Sequence, residues 1–135
     1  MDPWRRLEQL DGWRVDWMWA PRAAGLTCWR DRVIELDIRL SERAVKCVLS
    51  HEVVHAERGP FPRRMLSREE EAVSRESARR LIDLHPLGEA LAWSLHPHEA
   101  ADELWVDTNT FDARIRGLSD AERVYLADRL EHHTC

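Results

Sequence analysis

The apolar residues of this chain change their period at one point, and that change divides what each part can fold into. Up to Leu40, large apolar and polar residues alternate: WRVDWMW over 13–19 and RVIELDIRL over 32–40 read as strands, with turn residues and a further short strand at 26–29 between them. From Ser41 onward Ala44, Val45, Val48, Leu49 and Val53 recur at three- and four-residue steps, the period of a helix. Ser41 offers the N-cap, Glu42 complements the helix dipole in the first turn, and Gly59 with Pro60 and Pro62 ends the run. A second helix is expected from about Ser67 to Ile82, with His85-Pro86 breaking it, and 86–131 reads as a series of short helices separated by turn residues.

Strands followed by helices in 135 residues, with no internal repeat and no Gly/Ser linker, predict one α+β domain. Its parts are a small twisted sheet within residues 1–40, the 41–58 helix packed on it, and a helical C-terminal half. Trp4, Trp13, Trp17, Trp19 and Trp29 all fall in the strand-rich part, where the main expectation is core and sheet-face packing.

The net charge of −5 gives no general attraction to phosphate backbones, so nucleic acid is not favoured as a partner. No apolar run approaches the roughly 18 residues of a membrane span, and MDPWRRLEQLDGW has no apolar stretch after its arginines, so the expected location is the cytoplasm. Cys28, Cys47 and Cys135, an odd set at irregular spacing, fit reduced thiols.

The helix at 41–58 carries HEVVH at 51–55. Residues four apart stack on one helix face, so His51 and His55 can aim ring nitrogens at one point, each about 2.0–2.1 Å from a zinc ion. Glu52 stands beside such a metal rather than on it, where a carboxylate serves as general base. Cys47 lies on the same face and is expected to be a buried packing residue.

A catalytic zinc needs a third protein ligand, and REEE offers Glu69, Glu70 and Glu71. A run of glutamates taken alone is a solvated face. A ligating histidine wants its second ring nitrogen held, and a residue four beyond the glutamate on the same face can do this. Ser74 suits that task for Glu70, whereas Arg75 would bring a cation toward the metal for Glu71; Glu70 is therefore the expected ligand and Glu71 the alternative. SREE at 67–70 is also a capping box, which would fold Glu70 back on the Ser67 amide unless the helix starts earlier, around 62–65.

LSHEVVHAERGP (49–60) and REEEAVSRESARRLI (68–82) together resemble the zinc helix and the following glutamate helix of the ImmA/IrrE-like metallopeptidases, which belong to the gluzincin class of zincins. The likeness spans about residues 30–118. In that family the second helix reads Glu-x-x-Ala-Asp/Asn with the glutamate as third ligand, a register that set on Glu70 places Val73 at the alanine and Ser74 where the family has Asp or Asn. The resemblance implies a zincin-like fold, Zn²⁺ held by His51, His55 and Glu70, Glu52 as general base, and cleavage or inactivation of a partner transcriptional regulator. A reading from another class keeps the metal fold but has the chain hold a regulator without cutting it.

HEAADELWVDTNTFDARIRGL (98–118) has the cadence of a helix-turn-helix, but five acids against Arg114 and Arg116 leave it at −3, so helical packing or protein docking is expected rather than DNA. His85, His96, His98, His132 and His133 are expected to be solvated, with His96 or His98 a candidate electrophile beside the metal.

Overall fold

The computed structural model describes residues 1–133. Helix α1 (Pro3–Glu8) is followed by strands β1 (Arg14–Met18), β2 (Gly25–Cys28) and β3 (Val33–Asp37), then by α2 (Glu42–Arg58), a 3-10 turn (Arg63–Met65), α3 (Leu66–Leu81), α4 (Leu84–Trp93), α5 (Pro97–Glu103), α6 (Thr108–Arg116) and α7 (Asp120–His133). The class is α+β, with the small sheet, the central helix and the helical C-terminal half in the expected order. Among the described residues no helix is long and apolar enough to cross a membrane. Cys28 and Cys47 are free thiols, and Cys135 lies outside the described residues.

Strand β3 is the middle of the sheet. It pairs in parallel with β1, Val15 opposite Ile34, and antiparallel with β2, Thr27 opposite Ile34. Its alternation ends earlier than the 32–40 pattern predicts, because Asp37 accepts hydrogen bonds from the backbone and guanidinium of Arg39 and turns the chain. The reading of 1–40 as mainly strands also leaves out α1. Asp2 caps that helix by accepting from the Trp4 amide, Pro3 starts it, and Leu7 sinks into the sheet-side core.

Helix α2 separates two cores. Leu49 and Val53 pack with Ile34, Leu36 and Leu7 on the sheet side, while Cys47 joins Ile82, Leu87, Val106, Phe111 and Leu126 on the helical side. Where α2 crosses α3, a buried hydroxyl pair replaces apolar bulk: Ser77 Oγ donates to Ser50 Oγ at 2.9 Å. Small side chains at this crossing let the two helix backbones approach, which carries the first turns of α3 toward the end of α2.

The start of α3 differs from the Ser67 expectation. A 3-10 turn at Arg63–Met65 leads directly into the helix at Leu66, so Ser67 is already inside it and no capping box forms. Glu70 is thereby not drawn back to the Ser67 amide. At the other end the break falls at Ile82 and Asp83, not at His85-Pro86; those two residues sit in the first turn of α4, where proline's missing N–H has no intrahelical partner to lose.

Arg114 ties the helical half together. Only 3% exposed, it donates to the Ile82 carbonyl at 2.8 Å and to Glu122 at 3.0 Å, joining the end of α3 to α6 and α7. The Arg114 hydrogen bond holds the Glu122 carboxyl below its ordinary range. Arg114→Met is expected to lower stability by about 2 kcal/mol at neutral pH, because it leaves the buried Ile82 carbonyl and the partly buried Glu122 carboxylate without this donor. The depressed carboxyl contributes stability above its unfolded-state pKa and loses it as pH falls through the folded value. In denaturant titrations the stability gap between wild type and variant should therefore narrow in acid, below about pH 4, down to the share of the Ile82 carbonyl.

Candidate metal centre

The histidines of HEVVH lie in the last turns of α2, and Glu70 reaches them from the start of α3. His51 Nε2 is 2.9 Å from one Glu70 oxygen and His55 Nε2 is 2.7 Å from the other. One ligand atom from each of the three residues falls within 4.8 Å of the others, so the group can hold a metal ion. Tetrahedral bonds of about 2.0–2.1 Å would set such ligand atoms roughly 3.3 Å apart. The two histidine–Glu70 contacts are somewhat shorter than that, as expected of direct hydrogen bonds, and two imidazoles with one carboxylate are donors that zinc accepts.

The neighbouring glutamates face elsewhere. Glu69 pairs with Arg58, and Glu71 bridges Arg75 and Arg116; the guanidinium hydrogen bonds hold both carboxyls below the ordinary range. Glu71 thus serves as a tie between α3 and α6, and only Glu70 joins the histidines. Ser74 does not do what was expected of it. It lines the adjoining cavity but makes no hydrogen bond to either histidine, and His55 Nδ1 is buried with no partner among the described residues.

Glu52 lies next to this group and is buried, the residue being 8% exposed. Burial pushes its carboxyl above the ordinary range, opposed by a 2.7 Å hydrogen bond from the Thr27 hydroxyl and by the nearby His51. The same hydroxyl lies 3.0 Å from the Glu52 carbonyl oxygen, so its single proton is shared between the backbone and the carboxylate of one residue. Beyond its alternation, nothing in the local sequence of β2 marks it for this role.

That role follows from matched periods. Gly25, Thr27 and Trp29 alternate onto one side of β2 and its extension, and Val48, Glu52 and His55 follow one face of α2. Two strand residues span about 6.6 Å and four helix residues about 6 Å, so the two series run alongside each other. Gly25 meets Val48 and Glu52, Thr27 binds Glu52, and the Trp29 indole N–H donates to the His55 carbonyl at 2.9 Å. A Cβ at Gly25 would come within 2.4 Å of Val48 Cγ1 and 2.9 Å of Glu52 Cγ, which is why no side chain fits there.

A cavity of about 330 Å³ opens beside His51 and Glu52. Gly25 and Ala24 form one wall, Ser74 and Ser77 another, and Asp107, Asn109 and Thr110 at the start of α6 close it. Cys47 also borders it; burial raises its thiol pKa, which makes it a poor nucleophile and fits the packing role expected. His96 and His98 do not line the cavity. Their rings stack on each other at 5.5 Å at the start of α5, so the expected electrophile is not placed by either. Asn109 and Thr110, which sequence reasoning passed over, are the polar groups found there instead.

The helix-turn-helix cadence corresponds to α5 and α6, joined through Leu104–Asp107. Both of its arginines are engaged internally, Arg114 in the core and Arg116 with Glu71. Comparison with protein-family models, with curated proteins and with solved structures found no match.

Gly25→Ala is expected to push β2 off α2 and cost about 1–3 kcal/mol, the range for overpacking a filled contact. Urea denaturation of the metal-free protein measures this, and a variant as stable as wild type would show that the approach of β2 is not constrained by Gly25.

Proposed function

We propose that the chain is a zinc-dependent endopeptidase of the ImmA/IrrE type that acts on a partner transcriptional regulator. The observation that carries this reading is the separation of two roles within one small site. His51, His55 and Glu70 converge on a single point, while the Glu52 carboxylate is held apart from them on Thr27 beside an open cavity. Three ligands with an adjacent, non-ligating carboxylate suit metal-assisted hydrolysis of an amide.

A zinc ion in this site would polarise the scissile carbonyl and bring the pKa of an attacking water toward ~7. The chain's own residues supply the rest. Glu52 accepts the proton released by the water and delivers it to the departing amine, so one carboxylate acts first as base and then as acid. Thr27 keeps that carboxylate in one orientation, and the desolvation that raises its pKa makes it a better proton acceptor than an exposed glutamate. The cavity beside Glu52 receives a side chain of the substrate, with Asn109 and Thr110 available to its backbone.

A second reading is favoured by Ser74, which leaves the histidines without the hydrogen bond that an acid or amide at that position would give. On that reading the centre holds metal weakly and the chain sequesters a regulator intact.

Incubation with the regulator encoded nearby separates the two. Wild type is expected to yield fragments, and Glu52→Gln to cleave at least about 10²-fold more slowly while retaining zinc. The metal-free variant should be no less stable than wild type, since it removes a charge that burial disfavours. A complex that survives gel filtration with both chains intact supports sequestration, and full activity in Glu52→Gln would exclude Glu52 as the base.

A further inference from the structure

His55 lacks the hydrogen bond that ordinarily orients a ligating histidine. Its Nε2 faces Glu70, and its Nδ1 is sealed from solvent with no partner among the described residues. An imidazole free at one nitrogen has a broad choice of χ2 angles, so something besides a hydrogen bond to Nδ1 must hold this ring with its Nε2 toward Glu70.

Two aromatic rings surround it. Phe61 stacks on His55 at 5.8 Å with 23° between the planes, and Trp29 meets His55 edge-on at 6.2 Å and 85°. Trp29 and Phe61 also meet each other edge-on at 6.0 Å, so the three rings brace one another. The Trp29 indole N–H, bonded to the His55 carbonyl, fixes the backbone from which the ring projects.

The sequence brings Phe61 there by Gly59-Pro60-Phe61-Pro62. Gly59 ends α2 at φ 88°, a left-handed conformation that reverses the chain, and Pro62 biases Phe61 toward an extended backbone. What reads in the sequence as a helix stop thus also returns an aromatic ring onto the last histidine of the helix.

We infer that Trp29 and Phe61 are positioning residues for the metal centre: packing against both holds the His55 ring at the angle a metal requires, in place of a hydrogen bond to Nδ1. The inference rests on the zinc reading and adds to it the two residues on which zinc affinity depends without being ligands. Loss of a group that orients a ligating histidine weakens metal binding by about 10- to 100-fold. Aromatic bracing should behave alike.

The test is the apparent zinc Kd, by competition with a chromogenic chelator, for wild type, Phe61→Leu, Phe61→Tyr and Trp29→Phe, with the visible absorption of the Co²⁺-loaded proteins as a second readout. Phe61→Leu is expected to weaken zinc by about 10-fold or more and to alter the Co²⁺ spectrum, Phe61→Tyr to restore both, and Trp29→Phe to fall between. Zinc affinities and Co²⁺ spectra equal to wild type in Phe61→Leu and Trp29→Phe would overturn the inference. So would a loss of metal-free stability with unchanged affinity, which would reduce the rings to packing alone. If Phe61→Leu does not fold, Phe61→Met against Phe61→Tyr decides on the same scale. Wild type that binds no zinc would instead overturn the zinc reading, a distinct outcome.

Discussion

Everything in this fold depends on the burial of α2 along two sides. The sheet takes Leu49 and Val53, the helical half takes Cys47, and the Ser50–Ser77 contact lets α3 cross close by. A helix held in that way cannot rotate without opening both cores at once. Its remaining direction is the one in which His51, Glu52 and His55 point, and their geometry is inherited from packing rather than from the polar residues themselves. Burial of the Leu49 and Val53 side chains is worth about 1.5–3 kcal/mol each, more than hydrogen bonds of about 0.5–1.5 kcal/mol contribute singly.

Against that fixed helix, two elements complete the centre from opposite sides. Helix α3 supplies Glu70, and its flanking glutamates are drawn off by Arg58, Arg75 and Arg116 so that one carboxylate alone faces the histidines. Strand β2 supplies no ligand but lies along the helix with Gly25, Thr27 and Trp29 in register, and places the Glu52 carboxylate beside the three donors. The division of labour is chemical as well as spatial. Glu70, partly exposed, bridges two imidazoles; Glu52 is desolvated, and burial raises its carboxyl above the ordinary range.

Much of this was legible in the sequence, and the limits have physical causes. The switch from alternation to three- and four-residue steps located the sheet and α2, because those periods are written by burial on one face. Glu70 was also legible, though for a reason the structure does not bear out: Ser74 holds neither histidine, and Glu70 is selected because it shares a face with Val73 and Ser77, both buried, near the crossing with α2. Helix α1 escaped notice because six residues carry too little periodicity. His85-Pro86 misled as a helix break because proline is equally at home in a first turn. Thr27, Trp29 and Phe61 were not readable as site residues, since their roles arise only when a strand and a post-helix loop fold against α2. The one local hint was the alternation of Gly25, Thr27 and Trp29, which places them on the same side.

The central claim is that packing of α2 and α3 creates a metal centre from His51, His55 and Glu70. Elemental analysis of tag-free wild-type protein, purified without added zinc, tests it most directly, with Glu70→Gln measured alongside. About one zinc per wild-type chain is predicted, with clear loss in the variant. No zinc in wild type, even after zinc is added back and excess removed, would contradict the account and leave HEVVH as a buried helix end without a metal.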